Sequence, residues 1–140
     1  MLFLTEIAHG KKFHIYVVGT ENICPFTEFV ETAHATLPEE WPKLLRLIDQ
    51  TKDNGPIHNE KQSKKLKGYD FNEFITKGGL RLFYFFDSGR LVICTTGFIK
   101  QGNRTPVREL AKAEEWRKRY FAAKQKNEIK FIKPSHEHPH

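Results

Sequence analysis

From Lys12 to Val18 apolar and polar positions alternate: Phe13, Ile15 and Val17 fall on one side, His14 and Tyr16 on the other, and Gly19 closes the run. A period of two is the mark of a strand with one face buried. After Pro25 the period lengthens. Phe26, Phe29, Val30 and Ala33 recur at helical spacing, with Pro25 placed at the first helical position. A break at Thr36-Leu37-Pro38 leads to a second helix striped by Trp41, Leu44, Leu45 and Ile48. Asn54-Gly55-Pro56 ends it, since Gly can cap in the left-handed region and Pro cannot continue a helix. So short a connection predicts an antiparallel helix hairpin.

The stretch from Ile57 to Gly68 is polar and lysine-rich and reads as a surface loop. Three strands follow: Tyr69 to Thr76, Leu80 to Phe86 and Arg90 to Phe98. The connections Lys77-Gly78-Gly79 and Asp87-Ser88-Gly89 are hairpin turns. Leu80 to Phe86 is almost continuously apolar, as a central strand covered on both faces should be. That makes Arg81 conspicuous, because a charge in such a strand needs a partner or an edge. Thr105 and Pro106 open a last helix, Thr105 as its cap, with Leu110, Ala113, Trp116 (or Arg117), Tyr120 and Phe121 on its apolar stripe. Glu128 to Lys133 can add an edge strand, and residues 134–140 read as a flexible tail. The order β-α-α-β-β-β-α predicts one α+β domain over residues 1–133: a small antiparallel sheet, the helix hairpin on one face, and a C-terminal helix.

Composition narrows the class. Of the 140 residues 39% are hydrophobic and 13% aromatic, enough to fill one core with rings. Nothing resembles a signal peptide or a membrane span, and Cys24 and Cys94 stand in no metal or redox spacing. The expectation is a cytoplasmic protein with two reduced, buried thiols and neither metal nor cofactor.

Charge changes the picture more. Between Gly55 and Arg108 there are ten Lys and Arg against four Asp and Glu, which accounts for the whole net charge of +6. A local basic field steers polyanions; it also keeps a plain surface soluble.

The ordered set Lys65-Leu66-Lys67-Gly68, Arg81-Leu82-Phe83-Tyr84-Phe85-Phe86, Gly97-Phe98-Ile99-Lys100, Arg104-Thr105-Pro106 and Glu109 resembles the phage-derived HigB branch of the RelE/ParE toxin superfamily. The likeness runs from about residue 12 to residue 124. It implies a RelE-like fold and a toxin that cleaves mRNA in the ribosomal A site without a metal. It also implies a helix-turn-helix antitoxin that holds the toxin inactive. Relatives commonly carry His just before the Gly-Phe pair; here that position is Thr96, so a lysine-based mechanism must move the protons.

Cleavage of RNA by its own 2′-OH needs a base, cations for the charge growing on the phosphate, and an acid for the leaving 5′-oxygen. The candidate catalytic residues are Arg81, Lys65, Lys67 and Arg104. Arg81 offers a fork for the scissile phosphate, or else only a partner for a carboxylate such as Glu73. Lys65 and Lys67 can contact phosphate and transfer protons, or be a solvated loop. Arg104 resembles a second arginine that steadies the leaving side. Lys61, Lys64 and Lys100 complete the RNA-binding field, with Lys100 beside the positive end of the last helix. Phe83 and Phe85, on the face of Arg81, are candidate stacking platforms, while Tyr84 should face away.

Two other functions stay open. One is a ParE-like toxin that inhibits DNA gyrase without catalysis. The other is a non-enzymatic basic module that binds RNA or protein.

Overall fold

The computed structural model describes residues 1–133, so the tail read at 134–140 lies outside the described residues. The fold is α+β, with seven strands in one mixed sheet and three helices. The elements are β1 (Leu2–His9), β2 (His14–Gly19), α1 (Pro25–Thr36), a 3-10 turn (Pro38–Glu40), α2 (Trp41–Asn54), β3 (Ser63–Lys65), β4 (Asn72–Ile75), β5 (Leu80–Asp87), β6 (Leu91–Ile99), α3 (Val107–Gln125) and β7 (Ile129–Ile132). Across the sheet the order is β3-β4-β5-β6-β2-β1-β7. No helix among the described residues is long and apolar enough to cross a membrane.

The meander is antiparallel from β3 to β6, as the two turns require. Gly79 at φ 123° and Gly89 at φ 84° supply the left-handed backbone those turns need. The sheet departs from expectation in three places. The sheet is not purely antiparallel: β2 runs parallel to β6, and β1 parallel to β7. A parallel pair demands a long crossover, which here contains α1, α2 and the first three strands of the meander. The N-terminal residues, read only as lacking a leader, form a full strand, with Leu2, Leu4 and Glu6 on its buried row. Residues 63–65, read as loop, pair with β4.

Period-two alternation splits the core into two layers. Ile15, Val17, Leu80, Leu82 and Tyr84 face α1 and α2, where Phe29, Leu44 and Ile48 meet them. Leu4, Val18, Phe83, Phe85 and Ile93 face α3, with Ala113, Trp116 and Tyr120. Strand β5 is therefore covered on both sides, as its apolar run predicts. The first two helices share one face but meet chiefly through Trp41, whose ring packs against Phe26, Phe29 and His34. They rest on the sheet more than on each other. Helix α3 starts at Val107 with Pro106 as its cap residue and no side-chain cap bond, so Thr105 does not cap it. Cys24 and Cys94 are both free thiols, but only Cys94 is fully buried.

Gly97 has a packing reason. A Cβ there would lie 2.6 Å from the Phe29 ring, so α1 can approach β6 only over glycine. Just before it, Phe83 of β5 faces both Thr95 and Thr96 of β6, a bulge between the pairs Tyr84–Cys94 and Leu82–Gly97.

Candidate functional site

Strand register decides which charges can meet. Lys64 pairs with Glu73, which pairs with Phe83; Ile75 pairs with Arg81, which pairs with Phe98. Residues directly opposite share a face, so Lys64, Glu73 and Arg81 lie on the side that carries α3. Lys100 follows Phe98 by two positions, and its backbone N–H donates to the Gly79 carbonyl at 2.8 Å. Three of the predicted cations, Arg81, Lys64 and Lys100, act electrostatically on one carboxylate.

That carboxylate is Glu73, only 1% exposed. Its Oε1 lies 3.7 Å from Arg81 Nε, too long for a hydrogen bond. Both Glu73 oxygens and Arg81 Nε are buried without a hydrogen-bond partner. Burial pushes the Glu73 carboxyl above its ordinary range, against the pull of Arg81, Lys64 and Lys100. Burial also lowers the Arg81 pKa, and Glu73 opposes that change. The pairing with Glu73 that the sequence left open is therefore present, but as a loose Coulombic contact.

The guanidinium is fixed elsewhere. Nη1 donates to the Thr76 carbonyl at 3.0 Å and the Leu80 carbonyl at 3.1 Å. Nη2 has no partner among the described residues. Although its row lies on the α3 side of the sheet, Arg81 also lines a cleft of about 730 Å³ whose other walls are α2, the loop before β3 and the β4–β5 turn. Lys43 and Arg46 come from α2, Lys61 from the loop and Lys77 from the turn, against a single carboxylate, Glu60. Five cations from four places, α2, the loop, the turn and β5, give the cleft a positive field that favours an anion. Glu40 braces the cleft from below: it accepts from the Gly78 N–H at 2.7 Å and from Lys43 Nζ at 2.7 Å. The Lys43 bond, with help from Thr76 and the Gly78 N–H, overcomes burial and holds Glu40 below the usual carboxylate range.

Other predicted residues lie elsewhere. Phe83 and Phe85 are 0% and 2% exposed, so their assignment as stacking platforms is corrected: they are core rings. Phe83 stacks on Phe98 and packs edge-on to Phe71, and Phe85 packs against Tyr120. An apolar strand buries both faces, and shared alternation with Arg81 does not bring a ring to the surface. Tyr84 faces away from Arg81 and bonds to the Ser63 hydroxyl. Lys65 points to the face opposite Lys64, because its row is Asn72 and Tyr84, and its Nζ donates to the Tyr69 carbonyl at 2.8 Å. Lys67 and Arg104 are exposed, and no contact among the described residues joins either to Arg81. Thr96 carries a buried, unpartnered hydroxyl on the bulge and lines a hollow between α1 and α3, away from the cleft. Glu109, in the first turn of α3, faces Arg108 and Lys112 at 3.6 and 3.9 Å.

Lys43 and Arg46 were missed, although a signal existed. Lys43, Arg46 and Gln50 follow i, i+3, i+7 spacing, which aligns them on one helix face. Glu73 was legible too: Phe71, Glu73 and Ile75 share a period-two row that begins with a buried ring.

Among the described residues no cluster of three His, Cys, Asp or Glu side chains could hold a metal ion. Residues 36–118, more than half of the chain and including Glu73, Arg81 and every predicted cation, match the family described as Phage derived protein Gp49-like (DUF891). The chain belongs to that family, which is associated with the toxins of toxin–antitoxin pairs. No curated protein matches the chain.

Proposed function

With membership of the Gp49-like family as the premise, we propose that this protein is a HigB-type toxin of the RelE/ParE superfamily, an endoribonuclease acting on mRNA in the ribosomal A site. One observation carries the reading: Arg81 lines a cleft with Lys43, Arg46, Lys61 and Lys77, where Glu60 is the one acidic lining residue and Glu40 pairs with Lys43. A guanidinium held at Nη1, with no partner for Nη2 among the described residues, suits a phosphodiester.

The chemistry needs little else from the protein. The 2′-oxygen loses its proton and attacks phosphorus, the P–O5′ bond breaks, and the 5′-oxygen takes up a proton. The products are a 2′,3′-cyclic phosphate and a 5′-OH. The nucleophile is supplied by the substrate, and Arg81 with its neighbouring lysines stabilises the charge on the phosphorane. Lysines of the same cationic field carry the proton transfers. Lys67 and Arg104, both exposed, hold phosphates further along the strand. The toxin works in the cytoplasm and is silenced by a helix-turn-helix antitoxin.

The test is cleavage of translated mRNA by the purified protein in the presence of EDTA, with end-group analysis. Cyclic phosphate and 5′-OH ends support the reading. A 5′-phosphate end, or a need for Mg²⁺ beyond that of the ribosome, overturns the mechanism. Gyrase-dependent DNA breakage with no RNA cleavage would assign the toxin to the ParE type instead.

A further inference from the structure

Glu73 presents a problem of physical chemistry. A carboxylate 1% exposed, with both oxygens unpartnered, is costly to keep charged. Buried ion pairs with imperfect geometry often stabilise a fold less than apolar side chains of the same volume would. At 3.7 Å without a hydrogen bond, the contact with Arg81 is of that kind. Stability therefore does not explain the residue. Its location does, because it lies beneath the one side chain on which the cleft depends.

We propose that Glu73 is the positioning residue for Arg81: its buried carboxylate faces Nε, the Thr76 and Leu80 carbonyls hold Nη1, and the remaining edge of the guanidinium is presented to the substrate phosphate. The inference rests on the ribonuclease reading and deepens it. Glu73 is too buried to touch RNA, so it acts through Arg81 alone. It also offsets the repulsion among Arg81 and the two lysines gathered on the same face.

The charged groups acting on Glu73 come from three elements: Lys64 on β3, Arg81 on β5 and Lys100 beyond β6. All three favour its ionised form, and burial opposes them. Protonation of Glu73 removes the charge that faces Nε. The wild type should therefore lose cleavage on the acid side, at a pH above the ordinary carboxylate range.

The experiment compares the wild type with Glu73→Gln and Glu73→Asp in three measurements. Titration with a 2′-O-methylated single-stranded RNA reads binding without turnover. Single-turnover cleavage across pH reads the chemistry. The Nε–Hε NMR signal of Arg81, identified by its loss in Arg81→Lys, reads the pose directly. Glu73→Gln should bind the RNA at least as tightly as wild type, since a negative charge leaves the site. It should cleave roughly 10- to 100-fold more slowly, the usual scale for a misplaced catalytic group, and show no acid limb. Glu73→Asp, which keeps the charge, should recover part of the rate and the limb. The Arg81 signal should shift and exchange faster in Glu73→Gln.

Equal cleavage and pH profiles in wild type and Glu73→Gln overturn the proposal while leaving the ribonuclease reading intact. A wild type that neither binds nor cleaves RNA overturns both, even where the NMR signal still follows Glu73. If Glu73→Gln does not fold, the wild-type Arg81 signal decides the matter: it must follow a single protonation above the ordinary carboxylate range, and a flat titration overturns the proposal.

Discussion

Strand β5 carries a charge near each end, Arg81 and Asp87, and the two ends are built differently. At one end Asp87 is satisfied. It accepts from the Tyr120 hydroxyl, from Lys124 Nζ at 2.8 Å and from the Ser88 N–H at 2.8 Å. Burial pushes the Asp87 carboxyl up, but these bonds outweigh it and hold the group below its ordinary range. At the other end Arg81 faces a carboxylate it does not bond, and that carboxylate is pushed the opposite way. One end ties α3 to the β5–β6 hairpin; the other leaves buried charge unsettled beside a cationic cleft. A fold can close its electrostatics where only stability is needed. Where charge stays open despite burial, function is the better explanation.

The largest effect should come from breaking the open end without discharging it. Arg81→Lys keeps a cation for Glu73 but loses the planar fork. Toxicity on expression should vanish, and single-turnover cleavage should fall by about 10²–10³, as for loss of one transition-state donor. Arg81→Ala should be as inactive, but it also strands Glu73, so the lysine variant is the cleaner probe. A folded Arg81→Lys protein that still arrests growth would make this end a structural pair like the other.

Breaking the closed end should cost stability instead. Asp87→Ala leaves the Tyr120 hydroxyl, on a residue 1% exposed, without its acceptor. The cost should be about 1–3 kcal/mol, the penalty for an unsatisfied buried group. Denaturant unfolding measures it, and RNA binding by the folded fraction should be unchanged. Weakened binding at full occupancy of the fold would show that the ends are coupled along β5.

The pH dependence of stability should separate the two carboxyls by sign. The folded pKa of Glu73 is raised, so its contribution to stability is complete below the unfolded value and is lost as pH rises through the folded one. The folded pKa of Asp87 is lowered, so its contribution is present above the unfolded value and is lost as pH falls through the folded one. Acidification from neutrality should first add stability through Glu73 and then remove it through Asp87. Unfolding midpoints between ~pH 7 and ~pH 3, which brackets the carboxylate range, should show the early gain in wild type and not in Glu73→Gln. A monotonic fall in both proteins would mean that Glu73 is not held out of its ordinary range.

The same contrast explains what could be read in the chain beforehand. Local features were legible: the meander follows from two glycine turns and three strand patterns, and α1 and α2 from their stripes. Partners were not. Nothing in His14 to Gly19 specifies β6 as its neighbour, because parallel pairing is decided by the crossover and not by the strand. Strand β1 was hidden because its buried row ends in Glu6, a carboxylate that the His14 and His9 rings approach at 3.0 and 3.6 Å. At the site Arg81 stood out as a charge in an apolar strand. Lys65 and Lys67 were read as catalytic and Lys64 as part of the surrounding field, but β3 sends Lys64 to the face of Arg81 and Lys65 to the opposite one. The cleft depends on α2 meeting the β4–β5 turn, a tertiary contact that Glu40 and Gly78 make and no local pattern announces.

The smallest effect, one lysine at a time, tests whether the open end has a boundary. Each phosphate neutralised on a single strand contributes a slope of roughly −0.7 in log affinity against log salt. Lys61 lines the cleft and Lys64 faces Glu73, so Lys61→Ala and Lys64→Ala should each flatten that slope by somewhat less than one unit. They should weaken binding of different RNA sequences alike, since phosphate contacts carry no sequence information. Lys126 lines a separate hollow with Met1, Thr20 and Arg119, and Lys126→Ala should leave the slope unchanged. Lys65 is the informative case. Its Nζ is held by the Tyr69 carbonyl on the face opposite Lys64, so a groove confined to the Arg81 side gives Lys65→Ala the behaviour of the Lys126 control. A flattened slope for Lys65→Ala would carry the RNA path around the β3 edge and restore that residue to the site. RNA titration at several salt concentrations, on variants shown to be folded, decides between the two. Equal slopes for all four variants would mean a diffuse charge, and the distinction between the ends of β5 would then not extend to RNA binding.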